Sequence, residues 1–430
     1  MKVEPAARID GHIGVPGDKS VSHRALLIGA LSEGETRVTH WGRSGDTEST
    51  LGVVRALGAR VEEEDVDTLV VHGVGLRGLR PPGEALDCGN AGTLARLLSG
   101  ILAFQEGRFV LTGDESLARR PMGRVVVPLA EMGATLDATD GGLPLEIEGS
   151  PLTGIDYTLP VASAQVKSAI LLAGLGAVGR TTVREPAPTR DHTELMLEAA
   201  GALVTRAPGS VSVEPVSALH LPEVLVPGDI SSAAPFLAAA ALLPGSTLTV
   251  HDVGLNPLRT GILGVLERMG ARVGIQNRRR IAGELIGDVE ITGGELVATT
   301  IEASEVPRLV DELPLVALLA TMAHGTTRVS GAEELRAKES DRIEAVTTAL
   351  RAIGGHIESR PDGFVVRGVP TRPRGGSIDA AGDHRVAMLG AVAGVVSRDG
   401  VRLEGAECAA ISFPGFYELL AGVARSGDIG

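Results

Sequence analysis

HRALLIGALSEGETRV, residues 23–38, carries the pattern that decides the fold. Small and apolar residues fill two to three helical turns, a Gly-containing turn follows, and a short Thr/Arg/Val segment then reads as a strand. The same order of residue types returns as LARLLSGIL from Leu94, QVKSAILLAG from Gln165, AAPFLAAAAL from Ala233, LPLVALLAT from Leu313 and HRVAMLGAV from His384. Successive starts lie 71, 71, 68, 80 and 71 residues apart. Each run leads into a strand-like segment: EGETRV, EGRFVL, VGRTTV, PGSTLTV, HGTTRV and DGVRL. A second helical pattern then ends at Gly58, Gly133, Gly201, Gly270 or Gly354, where a left-handed glycine cap is expected. The sixth copy is expected to stop inside its second helix, FYELLAGVA.

Six units of about 70 residues therefore account for the chain, each strand–helix–strand–helix–strand in flavour. Solenoid repeats are shorter and carry atypical end caps, so a compact grouping is expected. VPGDKS at 15–20 recurs as VPGDIS at 226–231, near the start of copy four. That echo predicts two domains of three copies each, 15–227 and 1–14 plus 228–430, with chain crossings near 14–16 and 226–230.

With 430 residues the chain exceeds what one core supports. Its 57 glycines and few aromatics (6 Phe, 2 Tyr, 1 Trp) imply a core of Ala, Leu and Val. A net charge of −14 argues against general nucleic-acid binding, which depends on broad phosphate neutralisation. Local cationic clusters can still focus an anion into a cleft. Two cysteines, Cys88 and Cys408, have no metal or redox spacing and point to a reducing compartment. The opening MKVEPAARIDG has no apolar signal region, and AAPFLAAAALL is too short to span a bilayer. A cytoplasmic protein without membrane or nucleic-acid partners is expected.

The polar residues fall at corresponding places of the repeat. First helices open on Lys19, Ser20 and Arg24; on CGNAGT with Arg96; on SAQVK, 163–167; on Asp311 and Glu312; and on GDHR, 382–385. Second helices open near Arg120, Arg190, Arg259 and Arg342, which stand 13, 11, 11 and 12 residues before their closing glycines. Cations oppose the dipole at a helix N-terminus, whereas a bound anion is favoured there. Taken singly, GNAGT reads equally as a tight turn, KESDR as a solvated helix start and GDHR as an ordinary N-cap. Their recurrence at one site of the repeat points instead to a shared anion site. The ten histidines show no ligand spacing and there is no Walker loop, so neither a metal nor a nucleotide cofactor is expected.

PGDKSVSHRALL, CGNAGTLARLL, RRPMG, SAQVKSAILLAG, RDHTE, LVDELP, KESDR and GDHRVAM occur in the order seen in the 5-enolpyruvylshikimate-3-phosphate (EPSP) synthases, and the chain resembles that family over essentially its whole length. The resemblance implies an α/β, two-domain inverse α/β barrel, the enolpyruvyl transferase fold, built of six βαβαββ repeats with three per domain. It places the active site in the interdomain cleft. It implies transfer of the enolpyruvyl group of phosphoenolpyruvate to the 5-hydroxyl of shikimate 3-phosphate, with release of phosphate, in aromatic amino-acid biosynthesis. Carried over position by position, Lys19, Ser20, Arg24, Ser163, Ala164, Gln165, Arg190, Asp311 and Lys338 correspond to shikimate 3-phosphate ligands. Lys19, Gly92, Arg120, Gln165, Arg342 and Arg385 correspond to phosphoenolpyruvate positions, and Lys19, Asp311, Glu339 and His384 to catalytic ones. Asp311 is the implied base for the 5-hydroxyl; Glu339 and Lys19 are implied in proton traffic at the methylene. No cofactor and no metal are implied, a monomer is expected, and glyphosate is the implied inhibitor at the phosphoenolpyruvate position.

Some positions depart from the family pattern. The segment CAAIS, 408–412, lacks the Lys that some members carry there, Glu334 stands where some have Asn, and Leu97 where glyphosate-sensitive members often have Pro. The related UDP-N-acetylglucosamine enolpyruvyl transferases usually carry a Cys in the loop that reads DESLARRPMG here, and an Asn after the Lys where Ser20 stands. A catalytically silent scaffold is the other alternative, and intact Lys19, Asp311, Glu339 and Arg385 speak against it.

Overall fold

The computed structural model describes residues 1–281 and 283–427, and the chain divides by packing into two units. An amino-half unit comprises Gly17–Pro227 together with Arg280–Glu284, and a carboxy-half unit comprises Met1–Pro16, Gly228–Arg279 and the chain from Leu285 onward. Residues 15 and 16 thus pack with the carboxy half, and the short stretch 280–284 packs with the amino half, unlike the division read from the repeats.

Each repeat builds one sheet. In repeat two Leu86–Asp87 runs parallel to Arg108–Thr112, which pairs antiparallel with Leu145–Glu148, and Thr135–Ala138 pairs antiparallel outside it. The parallel pair is joined through the helix Gly92–Leu102, as a parallel connection requires. Repeats three and five repeat this arrangement strand for strand, with parallel edge strands Asp156–Thr158 and Thr300–Ile301.

Repeats one and four exchange their first strands. Strand Arg8–Ile13 completes the repeat-four sheet beside Thr247–Gly254, yet the chain leaving it enters the repeat-one helix Lys19–Leu31. Strand Glu223–Leu225 completes the repeat-one sheet beside Glu35–Thr39, yet it runs on into the repeat-four helix Ile230–Leu242. The two VPGD corners make these exchanges: Asp18 N donates to Pro227 O at 2.7 Å and Asp229 N to Pro16 O at 2.9 Å. The sixth repeat goes further than expected. After its helix Phe416–Val423, Ala424–Arg425 forms a strand antiparallel to Arg8–Ile9, and Lys2–Val3 supplies the outer strand beside Val401–Glu404.

The first helices of the repeats form the core. Every residue of Ile230–Leu242 and Leu313–Thr321 is buried, and in His384–Val396 only Arg385 is partly open. Those three helices pack on one another, so none needs a polar face. In the amino half Gly92–Leu102 lies so close to Ala164–Gly174 that a Cβ at Gly100 would stand 2.1 Å from Ala169 O; only glycine fits. The second helices end as expected, with φ between +90° and +104° at Gly58, Gly133, Gly201, Gly270 and Gly354. Among the described residues no helix is long and apolar enough to cross a membrane, and no group of side chains is arranged to hold a metal ion.

Candidate active site

The polar clusters sit at helix starts in both units. In the amino half Asp18 caps Lys19–Leu31 by accepting from Val21 N at 2.9 Å, which sets Lys19 and Ser20 in the first turn. Lys19 Nζ lies 2.7 Å from Asp46 Oδ2. Arg24, one turn further on, is buried and forked: Nε donates to Thr193 Oγ1 at 2.7 Å, Nη1 to Ser20 O at 2.8 Å and Nη2 to Ser168 Oγ at 2.9 Å. Burial pulls its pKa down to about 10, against the opposing pull of Glu194 and Asp18. His23 beside it is held neutral: burial lowers its pKa to about 3, although Asp46 works the other way, and its Nδ1 lies 2.6 Å from Thr50 Oγ1.

Repeats two and three are joined by side-chain amides. Gln165 accepts from Arg96 Nη1 at 2.9 Å and donates to Thr93 Oγ1 at 2.9 Å. Arg120 Nη2 donates to Asn90 Oδ1 at 2.8 Å, and Asn90 donates onward to Asp114 at 2.7 Å. Gly92 lies between the two guanidinium groups: a Cβ there would be 2.7 Å from Arg96 Nη1 and 3.4 Å from Arg120 Nη1. Ser163 caps the repeat-three helix, so Ala164 and Gln165 occupy its first turn. Arg190 stands two residues before the helix His192–Ala199.

The carboxy half gathers carboxylates around its arginines. Arg259 lies 3.3 Å from Asp229, 3.4 Å from Asp311 and 3.5 Å from Glu312. Arg342, fully buried, donates from Nε to Asp383 at 2.7 Å, pairs with Glu339 through Nη2 and approaches Asp311 at 3.6 Å. Burial alone would lower its pKa; Glu339, Asp383 and Asp311 together outweigh that and raise it. Asp383 is fully buried and also accepts from Ser340 and from Arg385 N, so a single carboxylate positions both KESDR and GDHR. Arg385 Nη1 donates to Ser231 O at 3.1 Å, and Ser231 Oγ donates to Glu312. Burial raises the Glu312 pKa, with Arg259 opposing and Asp311 adding to the rise. His384 is buried in the first turn of its helix, and Lys338 is half-buried beside Glu339.

The EPSP synthase (3-phosphoshikimate 1-carboxyvinyltransferase) family model matches residues 3–420. A curated 3-phosphoshikimate 1-carboxyvinyltransferase of Geobacter sp. strain M21 is 48% identical, covering 98% of this chain and 99% of its own. The chain belongs to the EPSP synthase family. A second relative of the same name, from Geobacillus kaustophilus, is 49% identical over 95% of this chain and 96% of its own. An EPSP synthase structure from Acinetobacter baumannii superposes with a TM-score of 0.88 at 41% identity, covering 99% of this chain and 98% of that one. The fold is the α/β enolpyruvyl transferase fold that the motifs implied.

Within the amino half, Lys19, Ser20 and Arg24 form one group with the helix start at 192–194, while Gly92, Arg120 and Gln165 form another around Arg96 and Asn90. Within the carboxy half, Asp311, Glu339, Arg342 and Arg385 share the carboxylate network of Asp383 and Glu312. The sequence marked Arg96, Arg259 and Glu312 as polar members of the repeat but gave them no role, and offered Asp383 only as a helix cap, which it is. Ser168, Thr193 and Ser231 lie inside the motifs SAQVKSAILLAG, RDHTE and VPGDIS but were given no role; each is a small hydroxyl whose part as the partner of a buried charge appears only in the fold.

Proposed function

We propose that the chain joins phosphoenolpyruvate to the 5-hydroxyl of shikimate 3-phosphate, with the residues of both clusters engaging the same two substrates. What carries the reading is the setting of arginines and lysines at the helix starts where the family motifs fall. Two phosphates and two carboxylates require several fixed donors, and guanidinium groups suit such anions; Arg24, held in place by Thr193 and Ser168, is one such group. Lys19, Ser20, Arg24, Ser163, Ala164, Gln165, Arg190 and Lys338 hold shikimate 3-phosphate in this proposal. Lys19, Gly92, Arg120, Gln165, Arg342 and Arg385 hold phosphoenolpyruvate.

The reaction runs by addition and then elimination. Asp311 takes the proton of the 5-hydroxyl as its oxygen bonds to the central carbon of phosphoenolpyruvate, and a proton is delivered to the methylene carbon. One of the methyl protons then leaves, its C–H electron pair re-forms the carbon–carbon double bond, and the carbon–oxygen bond to phosphate breaks with its pair going to the departing phosphate. Glu339 and Lys19 move the proton at the methylene, and His384 is a further catalytic residue of this proposal. Glu339 is supported in this role by its bond to Arg342, which holds the carboxylate in place. General acid–base help of this kind is worth about 10²–10⁴-fold, and orienting two bound reactants adds to it.

Phosphate release with both substrates, and its absence with either alone, tests the reaction. Small-angle scattering with and without shikimate 3-phosphate tests whether substrate draws the two groups of donors together; an unchanged radius of gyration from an open free form overturns that part. Three further properties belong to the proposal. Glyphosate competes with phosphoenolpyruvate, and Gly92→Ala weakens it more than the substrate, because a methyl group there meets Arg96 and Arg120. The active species is a single copy, which light scattering measures. The working compartment is the cytoplasm, in keeping with two unpaired thiols, Cys88 and Cys408, whose pKa values burial raises to about 12 and about 11; cell fractionation tests it.

A further inference from the structure

The segment RDHTE, 190–194, does more than supply Arg190. Its last three residues are buried side by side, and each holds a different piece of the amino-half unit. Thr193 Oγ1 accepts from Arg24 and lies 2.7 Å from Ser168 Oγ. Glu194 pairs with the buried Lys167 at 2.7 Å, on the helix that begins Ala164-Gln165. His192 Nδ1 lies 2.6 Å from Glu284 Oε1, with both side chains more than nine-tenths buried. His192 Nε2 is buried without a hydrogen-bond partner among the described residues, so Glu284 is its one recorded hydrogen-bond partner there.

Glu284 comes from far along the chain. It opens the strand Glu284–Thr292 of repeat four, and the stretch Arg280–Glu284 packs with the amino half although its neighbours on either side do not. Gly283 lies over Leu195, where a Cβ would stand 3.5 Å from the leucine Cβ, and Arg280 Nη1 donates to Gly283 O at 3.1 Å. Glu284 and Arg190 both act electrostatically on Arg24, which puts all three within one small region.

We propose that Glu284 is a positioning residue for the shikimate 3-phosphate site: it anchors His192 and thereby fixes the helix start whose next two residues orient Arg24 and the Lys167-bearing helix. This rests on the function proposed above. A rigid helix start matters because an arginine fork displaced by a fraction of an ångström loses its bidentate geometry. In that proposal Arg24 and Ala164 belong to the sugar-phosphate group and Gln165 is shared, whereas Gly92 and Arg120 are held separately by repeat two, so the effect falls mainly on one substrate.

The test uses the full-length protein with Glu284→Ala, Glu284→Asp and Glu284→Gln, measuring shikimate 3-phosphate binding by calorimetry and the KM of each substrate. Glu284→Ala should weaken shikimate 3-phosphate about tenfold, as loss of one buried charged hydrogen bond warrants, with the phosphoenolpyruvate KM changed less than about threefold. Glu284→Gln, whose amide oxygen can still accept from His192, should restore binding to within about threefold of wild type. If Glu284→Ala does not fold, Glu284→Asp carries the test, with a smaller loss selective for the same substrate. Unchanged shikimate 3-phosphate binding in the folded variant overturns the proposal, as does an equal loss for both substrates or a glutamine variant as impaired as alanine. Wild-type protein that neither binds shikimate 3-phosphate nor releases phosphate would instead overturn the function on which the proposal rests.

Discussion

Arg24 in the amino half and Arg342 in the carboxy half are equally buried, yet their surroundings push them in opposite directions. Arg24 donates to two hydroxyls and a backbone carbonyl, and burial lowers its pKa. Arg342 donates to Asp383 and Glu339 with Asp311 nearby, and these carboxylates raise its pKa despite burial. An arginine held by neutral partners keeps its charge available for an incoming anion. An arginine ringed by carboxylates instead organises those carboxylates, and a carboxylate held in place is what proton transfer needs. In the function proposed above, Arg24 is an anion donor of the first kind, while Arg342 both binds phosphoenolpyruvate and holds Glu339 near Asp311, the two carboxylates proposed for proton transfer.

The sharpest way to break that assignment is to neutralise the carboxylates. Asp311→Asn and Glu339→Gln should each lower kcat by about 10²–10⁴-fold, the usual worth of general acid–base help, while shikimate 3-phosphate affinity stays within about threefold. Near-normal turnover in either variant removes that residue from the proton path.

In the amino half the buried Lys167 pairs with Glu194 at 2.7 Å and with the less buried Glu185 at 3.0 Å, and these contacts serve the scaffold. Lys167→Met leaves Glu194 buried without its cation and should cost about 3–5 kcal/mol of stability, read from denaturant unfolding. Lys167→Met combined with Glu194→Leu should recover much of that loss, because the fully buried carboxylate is gone and only the partly open Glu185, which also accepts from Thr189, lacks its cation.

Replacing Arg24 by Lys tests the fork itself. Lysine keeps the charge but cannot reach Thr193, Ser168 and the Ser20 carbonyl together, so shikimate 3-phosphate should bind about tenfold more weakly with kcat little changed. Equal affinity would mean that charge alone, and not geometry, makes this cluster a binding site.

A last effect is one of pH. His23 stays neutral in the folded protein down to about pH 3, whereas in the unfolded chain it takes up a proton near its ordinary 6.5. Between those values the unfolded state binds more protons, so stability falls as pH drops through the window. His23→Gln removes this contribution, and the decline in Tm from pH 6.5 towards 4 should be shallower than in wild type. An unaltered slope would show that His23 is not what keeps the helix start free of a further charge.

Much of this was legible in the chain itself. The six helical runs, their spacing and the five closing glycines are local features: apolar periodicity demands burial, and a left-handed cap demands glycine whatever packs around it. Lys19, Arg24, Arg120 and Arg342 were visible as candidates because each recurs at one place of the repeat. Their partners were not. Thr193, Ser168 and Ser231 are ordinary hydroxyls in sequence, and GDHR reads as a helix cap while nothing local says that Asp383 also receives Arg342 from another repeat.

What the sequence determined, then, is the repeating unit and the helix starts that carry charge, since both follow from interactions a few residues apart. Tertiary structure alone decided that Arg8–Ile13 and Glu223–Leu225 trade places between repeats one and four, and that Ala424–Arg425 continues the chain past the last helix as a strand. It also decided that Glu284 reaches His192 across 92 residues of sequence. Strand pairing and buried ion pairs join groups far apart along the chain. Their partners are chosen by which hydrogen bonds and charges remain to be satisfied once the helices have packed, and no local pattern encodes that choice.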